Sequence, residues 1–572
     1  MRAWREGFDA EQWRRRVRVA LKQEPADLVL ADGAVVDVFS ETLFQADVAI
    51  VDGVVAGIGD YPAARERIDC AGAIVAPAFI DAHVHTESSL LWITQFAAAV
   101  VPHGTGMIVT DPHEIANVAG LPGIDAVRRA VAGAPLDVRF TVPSCVPASP
   151  LESPGAEFGP AEIAAALKWP ESVGLGELMN FPGVLAGDQG IAAELAVAAG
   201  SAIDGHAPGL RGPALQGYVA SGPGSDHEST ALAEAREKLR AGLMVMIREG
   251  SSARNLRALL PLAANPVTAA RVCFCSDDRD AHTLAQNGHM DALLRLAIAE
   301  GLDPLRAIRL ATFNAANYWR LDGHGAVAPG YTANLVLLRD LPTMEVAATI
   351  HRGVIVARDG QLVTPPPELR EIPAPLRNTV RLAPLGASDL RLDPADAARA
   401  VQAIPGEIAT DLVAVEPAVR GGAAVAAPER DLLKLVCVER HRATGRVGIG
   451  YVRGFGLRRG ALASTIAHDA HNIVAVGADD VDILAAVAAV AESQGGLAVV
   501  AEGRVLAHLP LPIGGLLSDR PLAEVAAAYE TLEATARALG SDLPSPFGLL
   551  AFMALSVIPK ARVTDRGLIT VG

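Results

Sequence analysis

The sequence predicts an α/β protein centred on a (β/α)8 barrel of the TIM type, with a small β-sandwich built from both flanks of the barrel and a separate C-terminal α+β domain. Three observations carry that expectation. Short apolar runs alternate with Ala/Leu/Glu-rich stretches of roughly ten to fifteen residues across positions 79–324, the pattern of parallel βα units. Eight such runs can be counted, spaced mostly about twenty to thirty residues apart, which is the number that closes a barrel. Nearly every run ends in His, Asp or Glu, and a barrel works at the face where its strands' C-terminal ends emerge.

Taken in order, the runs are AIVAPAFIDAH (to His83), GMIVTDPH (to His113), DVRFTVPS, SVGLGE (to Glu177), SAIDGH (to His206), SDH (to His227), LMVMIRE (to Glu249) and RVCFCSD (to Asp277). The sixth is short and Gly-rich and is the weakest of the eight. Residues 1–25 read as a polar, Arg-rich N-terminal helix, with Trp4, Phe8 and Trp13 marking an edge that docks on the body of the chain. Residues 26–78 and 325–365 carry β runs with turn punctuation. The Asp-Gly pairs at 32–33 and 52–53 predict hairpin turns. The Pro-rich stretch 365–378 reads as a linker, and 379–572 as a further domain of mixed α and β.

Composition narrows the function. With 572 residues, several domains are expected, and 51% hydrophobic against 20% charged residues supplies large cores. Lys+Arg 49 against Asp+Glu 65 leaves −16, a poor match to nucleic acid or anionic lipid. Five cysteines without CxxC or disulfide-like spacing suit reduced thiols, and the N-terminus has no apolar signal region, so a cytoplasmic protein is expected.

The chemistry gathers at the predicted strand ends. His83 and His85 are two apart on a strand, so both imidazoles face one side and reach one metal ion. Glu177 supplies a carboxylate able to bridge two cations, and His206 and His227 each add an imidazole. Asp277 and Asp278 are adjacent carboxylates whose repulsion calls for a cation or a shared proton. One of them can ligate metal and shuttle a proton while the other holds a substrate nitrogen. The set His83, His85, Glu177, His206, His227 and Asp277 is nitrogen and oxygen ligation, suited to zinc, iron or manganese, and Cys273 and Cys275 are read as small core residues.

Long motifs then become specific: FIDAHVHTESS, TDPHEIANVAG, PSCVPAS, GLGELMNFPGV, DGHAPGLRG, SDHEST, SDDRDAHTL, GHMDALLRLAI and ASTIAHDAHNIVAVG. This text resembles the adenine deaminase family of the amidohydrolase superfamily, from about Leu28 to the C-terminus. The resemblance implies a dinuclear centre of manganese or iron, with zinc as the alternative, on those six ligands. It also implies adenine as substrate and hypoxanthine and ammonia as products. Asp277 would move the proton and Asp278 would accept from the substrate ring. His113 and Glu114 would protonate or bind the ring, or else support the site. By analogy with barrels of this superfamily, a homo-oligomer, a dimer first, is expected.

Some positions depart from the family pattern. Ala78 interrupts a usual Pro-Gly-Phe, Gly106 stands in what is otherwise a Thr-rich run, and Asn334 replaces a common Asp; Thr86 and Gly106 are expected close to the site. Other readings are another 6-aminopurine as substrate, a cyclic amidohydrolase of the dihydroorotase or hydantoinase type, or a retired barrel that binds nucleobases. The cyclic amide class typically carries a carboxylated lysine where this chain has Glu177. His468, Asp469 and His471 read either as a lid or substrate contact or as an internal cluster that positions a loop; the second reading is taken, because nothing in the sequence orients them to the barrel.

Overall fold

The computed structural model describes residues 9–70, 72–251, 253–404, 409–558 and 560–571. Its centre is parallel β-structure in two sheets. Six strands lie in the order Ala202–Gly205, Ser172–Leu178, Asp137–Val142, Thr105–Thr110, Phe79–His85 and Asp277–Asp278. The second sheet runs Ser225–Asp226, Met244–Arg248, Val272–Cys275. Ser276 alone separates Val272–Cys275 from Asp277–Asp278, so one stretch of chain serves both sheets. At the other border, the Gly224 amide donates to the Ile203 carbonyl at 2.9 Å.

Alternation divides the side chains. Val272 and Phe274 pack outward among helix residues such as Leu259 and Leu293. Cys273 and Cys275 pack inward with Ile80, Ala82, Met107, Val109, Met244 and Met246. All five cysteines are unpaired and buried.

The first predicted strand is two strands. Ile74–Pro77 pairs antiparallel with Leu335–Leu338, whereas Phe79–His85 pairs with Thr105–Thr110. Ala78 is the point of exchange: its amide donates to the Asn334 carbonyl, and the next amide, of Phe79, donates to Gly104. Through the Ile74–Pro77 pairing, the segments on both flanks of the central parallel sheets join one nine-stranded sheet that runs from Gln361–Leu362 to Val54–Gly59.

Of the two Asp-Gly signals, one makes a hairpin. Asp52 and Gly53, at φ +51° and +72°, turn Thr42–Val51 into Val54–Gly59. Asp32-Gly33 instead lies inside Ala26–Asp37, where the register to the next strand slips between Leu30 and Gly33, a bulge with Asp32 in the left-handed region. The N-terminal helix is described over Ala10–Ala20. It docks through buried Val19 and through Arg15, which meets Glu24, Asp27 and Asp52, while Trp13 stays 48% exposed. Trp4 and Phe8 lie outside the described residues. No described helix is long and apolar enough to cross a membrane.

The C-terminal region forms its own eight-stranded sheet, bounded by Thr410–Ala414 and Arg504–Pro510, with helices Asp480–Glu492 and Leu522–Ala538. It sits against the central sheet. The Trp92 amide donates to the Ser518 carbonyl at 2.8 Å and the Ser518 amide to Leu90 at 2.7 Å. Ser153 is held by Asp565, and Asn472 donates to the Ser153 carbonyl at 3.1 Å.

The departures from the family pattern now have physical reasons. A Cβ built on Gly106 would lie 2.6 Å from the Ala78 Cβ, so Ala at 78 and Gly at 106 are two halves of one packing solution. This contact lies at the start of the strands, so Gly106 is remote from the strand ends, which corrects the expectation that it lies close to the site. Asn334 donates to Asp137 at 2.7 Å, a bond an aspartate could not make without a proton. Gly106→Thr is therefore expected to destabilise the protein by about 1–3 kcal/mol through overpacking. Ala78→Gly added to it should recover most of that loss. Urea melts of the two single variants and the double variant measure the coupling, and losses that merely add would refute the pairing.

Candidate metal centre and active site

The strand ends bring together what the sequence had listed one by one. His85, Glu177, His206, His227 and Asp277 line one buried cavity of about 450 Å³, and His83, equally buried, brings its Nε2 close to that of His85. Alternation alone would not do this. Ile80 and Ala82 already pack inward with Met107 and Val109, so His83 would face away from them. Between Asp81 and Val84 the strand carries one residue more than its neighbour between Ile108 and Thr110. This bulge turns His83 and His85 inward.

Each of the two imidazoles is fixed at its far nitrogen. His83 donates from Nδ1 to Asp204 at 2.7 Å, and His85 from Nδ1 to the Asp111 carbonyl at 3.1 Å. Both Nε2 atoms then present lone pairs to one point, 3.1 Å apart. Two lone pairs held so close inside a protein repel unless positive charge lies against them, so the donor set fits a divalent cation. Asp277 Oδ1 approaches the same point, 3.3 Å from His85 Nε2 and 3.7 Å from His83 Nε2.

Glu177 divides the cluster. Its Oε1 lies 3.2 Å from His85 Nε2, and its Oε2 lies 2.6 Å from His206 Nδ1 and 3.4 Å from His227 Nε2. One carboxylate thus addresses two groups of imidazoles. Its own backbone is pinned, with the Glu177 amide donating to Asp111 at 2.8 Å and its carbonyl accepting from Ser144 at 2.9 Å.

The electrostatics agree. Burial pushes the Glu177 and Asp277 carboxyls up, but His206 for the first and Arg248 for the second hold them well below the usual carboxylate range. Burial likewise opposes charge on His85 and His227. Asp277 beside His85, and Glu177 beside both, nevertheless raise these imidazoles well above the histidine range. Asp278, by contrast, is raised by burial and by the charge of Asp277. It stands at the rim, bonded to Ser88.

His113 and Glu114 do not end a strand. The strand stops at Thr110, and both open the helix His113–Ala130. His113 Nδ1 lies 3.5 Å from Asp111 and 3.7 Å from Glu177. Although burial disfavours its charge, Asp111 helps lift its imidazole to about 10. Glu114 turns to the C-terminal domain: His468 Nδ1 is 2.8 Å from its Oε1 and His471 Nε2 is 3.8 Å from its Oε2. Asp469 comes within 3.8 Å of His113. The expectation that His468, Asp469 and His471 form only an internal cluster is therefore wrong: they meet Glu114 and His113, and His468 and Asp469 line the cavity. Contacts across more than three hundred residues have no sequence signature.

Sequence reasoning also missed Glu228 and Arg248. Glu228 Oε1 lies 3.3 Å from His227 Nε2 and 3.5 Å from His206 Nδ1, and Arg248 grips both its oxygens at 2.7 and 2.8 Å while also bonding Asp277. Glu249, read as the end of the seventh strand, faces away, with Arg254 at 3.9 Å. Alternation along Met244–Arg248 was the available signal, since Met244 and Met246 face inward and Arg248 follows in step.

The comparisons with known proteins agree with this geometry. The amidohydrolase family matches residues 74–356, and the adenine deaminase C-terminal domain matches residues 407–572. An adenine deaminase of Dehalococcoides mccartyi is 46% identical over 556 residues, covering 97% of each chain.

The chain belongs to the adenine deaminase family.

Other relatives are similar along their whole length. The adenine deaminase of Halalkalibacterium halodurans is 43% identical over 565 residues, covering 97% of this chain and 96% of its own. Adenine deaminase 2 of Carboxydothermus hydrogenoformans is 44% identical over 559 residues, covering 97% of each. Membership together with the buried histidine and carboxylate clusters, each with ligand atoms within 4.8 Å of one another, makes a metal-dependent amidohydrolase.

If Asp204 fixes the His83 tautomer, Asp204→Asn should weaken manganese binding roughly 10–100-fold. Equilibrium dialysis against a graded chelator reads this directly. Unchanged affinity would show that His83 needs no such orientation.

Proposed function

We propose that this protein hydrolyses adenine to hypoxanthine and ammonia, and the observation that carries this is Glu177 set between two groups of imidazoles with Asp277 beside them. His83, His85 and Asp277 would hold one divalent cation, His206 and His227 the other, and Glu177 would bridge the two. Manganese or iron is the expected metal. When bound, such a pair ionises a water at neutral pH and supplies the nucleophile that attacks the amino-bearing carbon of the ring.

The remaining work belongs to side chains. Asp277 accepts the proton of the attacking water and delivers it to the departing amine, as base and then as acid. Arg248, bonded to its other oxygen, aligns the carboxylate for both steps. Asp278, partly exposed at the rim, accepts from an N–H of the purine. His113, kept cationic by Asp111, offers a donor to the ring as electrons move onto its nitrogen. Glu228, held by Arg248, sits where it supports His206 and His227.

The surrounding architecture is read in the same way. The two parallel sheets are taken as one closed (β/α)8 barrel over 79–324, supported by the Gly224–Ile203 hydrogen bond at one seam and the shared Cys275–Asp277 stretch at the other. The flanking strands of 26–78 and 325–365 form the sandwich, 1–25 the N-terminal helix, and 379–572 the C-terminal domain. The protein is proposed to be a cytoplasmic homo-oligomer, a dimer first, that acts in purine salvage on a small molecule and not on nucleic acid.

Protein purified with added manganese should release ammonia from adenine and carry about two metals per chain. Asp277→Asn should abolish turnover. Two metals without ammonia from the wild type would overturn the substrate, and near-normal activity in Asp277→Asn would overturn the proton shuttle.

A further inference from the structure

The cavity at the metal-ligating cluster continues into a second hollow of about 560 Å³ between the central domain and the C-terminal domain. Asp278, His468 and Phe552 line both, so they stand at the passage from one to the other. Asp278 comes from the barrel. His468 and Phe552 come from the C-terminal domain.

His468 is held on several sides. Its Nδ1 is engaged by Glu114 Oε1 at 2.8 Å. Phe552 lies nearly flat on its ring, with centroids 4.6 Å apart and planes 22° from parallel. The His468 amide donates to the Ala551 carbonyl at 2.9 Å, tying the loop to the end of the helix Pro546–Ala551, next to Phe552. The loop is anchored again where His441 Nε2 donates to the Ala470 carbonyl at 2.7 Å. Although burial disfavours its charge, Glu114 lifts the His468 imidazole to about 9, so with Nδ1 facing Glu114 the ring carries a second N–H at Nε2, its remaining polar atom. Among the described residues no hydrogen bond or ion pair takes it, and it is not among the buried atoms left without a partner.

His471 differs. The Ala467 amide donates to its Nδ1 at 3.2 Å, so the proton of the neutral ring lies on Nε2 and points toward Glu114. This tautomer leaves Nε2 no lone pair for a metal, so Glu114, His468 and His471 form an electrostatic brace and not a third cation site.

We propose that the C-terminal domain completes the purine site, with His468 as a substrate-binding residue whose Nε2 donates to a ring nitrogen while Asp278 accepts from an N–H across the passage. Glu114 and Phe552 are positioning residues that fix the His468 ring. A donor and an acceptor on facing walls match a 6-aminopurine, which presents ring-nitrogen acceptors beside N–H donors. This inference rests on the deaminase reading given above.

The test begins with the manganese-loaded wild type on adenine and continues with three variants. The double variant Glu114→Gln/His468→Phe keeps the stacked ring, deletes the donor and leaves no buried unpaired carboxylate. Its kcat/KM is expected to fall about 100-fold or more with two metals retained. His468→Gln, which keeps a donor near Nε2, should recover most of that loss. Phe552→Leu should mainly raise KM. Wild-type kcat/KM in the metal-replete double variant would overturn the proposal.

Photolabelling covers variants that fail to fold. Irradiating the wild-type holoenzyme with 8-azidoadenine should label peptides within 464–472 or 545–553, and adenine should suppress the label. Label confined to barrel peptides would refute the inference alone. A wild type that neither deaminates nor binds adenine would overturn the deaminase reading and this proposal with it.

Discussion

The rest of the site follows from one electrostatic constraint: buried carboxylates and imidazoles can share an apolar interior only if positive charge is distributed among them. Glu177, Asp277 and Glu228 converge with four histidines where water is largely excluded. Arg248 neutralises the side that Glu228 and Asp277 share. Among the described residues the face shared by Glu177, His83 and His85 has no such side chain, and its grouped imidazole nitrogens and carboxylate oxygens suit a cation there.

The supporting structure serves that requirement. Asp204 and the Asp111 carbonyl hold the tautomers of His83 and His85, so Nε2 is left free on each. Asp111 does a second task by accepting from the Glu177 amide, and approaches His113 as well. A single buried aspartate thereby couples the second strand end, the fourth strand end and the helix that begins at His113. Small residues make room for this: a Cβ on Gly176 would lie 2.3 Å from the Asp111 carboxylate.

The C-terminal domain is part of the same arrangement. Through Glu114 the helix His113–Ala130 reaches His468, and through Asp469 the C-terminal loop reaches His113. The two domains therefore share charged groups at the cavity mouth as well as apolar surface. Closing the mouth with protein in place of water strengthens every interaction inside it.

By itself the sequence determined the βα alternation, the identity of the groups at most strand ends and the family. Each of these is local: apolar periodicity marks strands and helices, and motifs such as FIDAHVHTESS are contiguous in the chain. What only the tertiary structure decided depends on register and on distance along the chain. An extra residue between Asp81 and Val84 aims His83 inward, and no composition rule announces a bulge. Ala78 divides one apolar run between two sheets because its partners, Asn334 and Gly104, lie far apart in sequence. Arg248 faces the site and Glu249 does not, because alternation is counted from the core outward and not from the chemistry inward. His468 meets Glu114 for the same reason that Gly106 accommodates Ala78: folding brings together residues whose chemical complementarity has no expression until they touch.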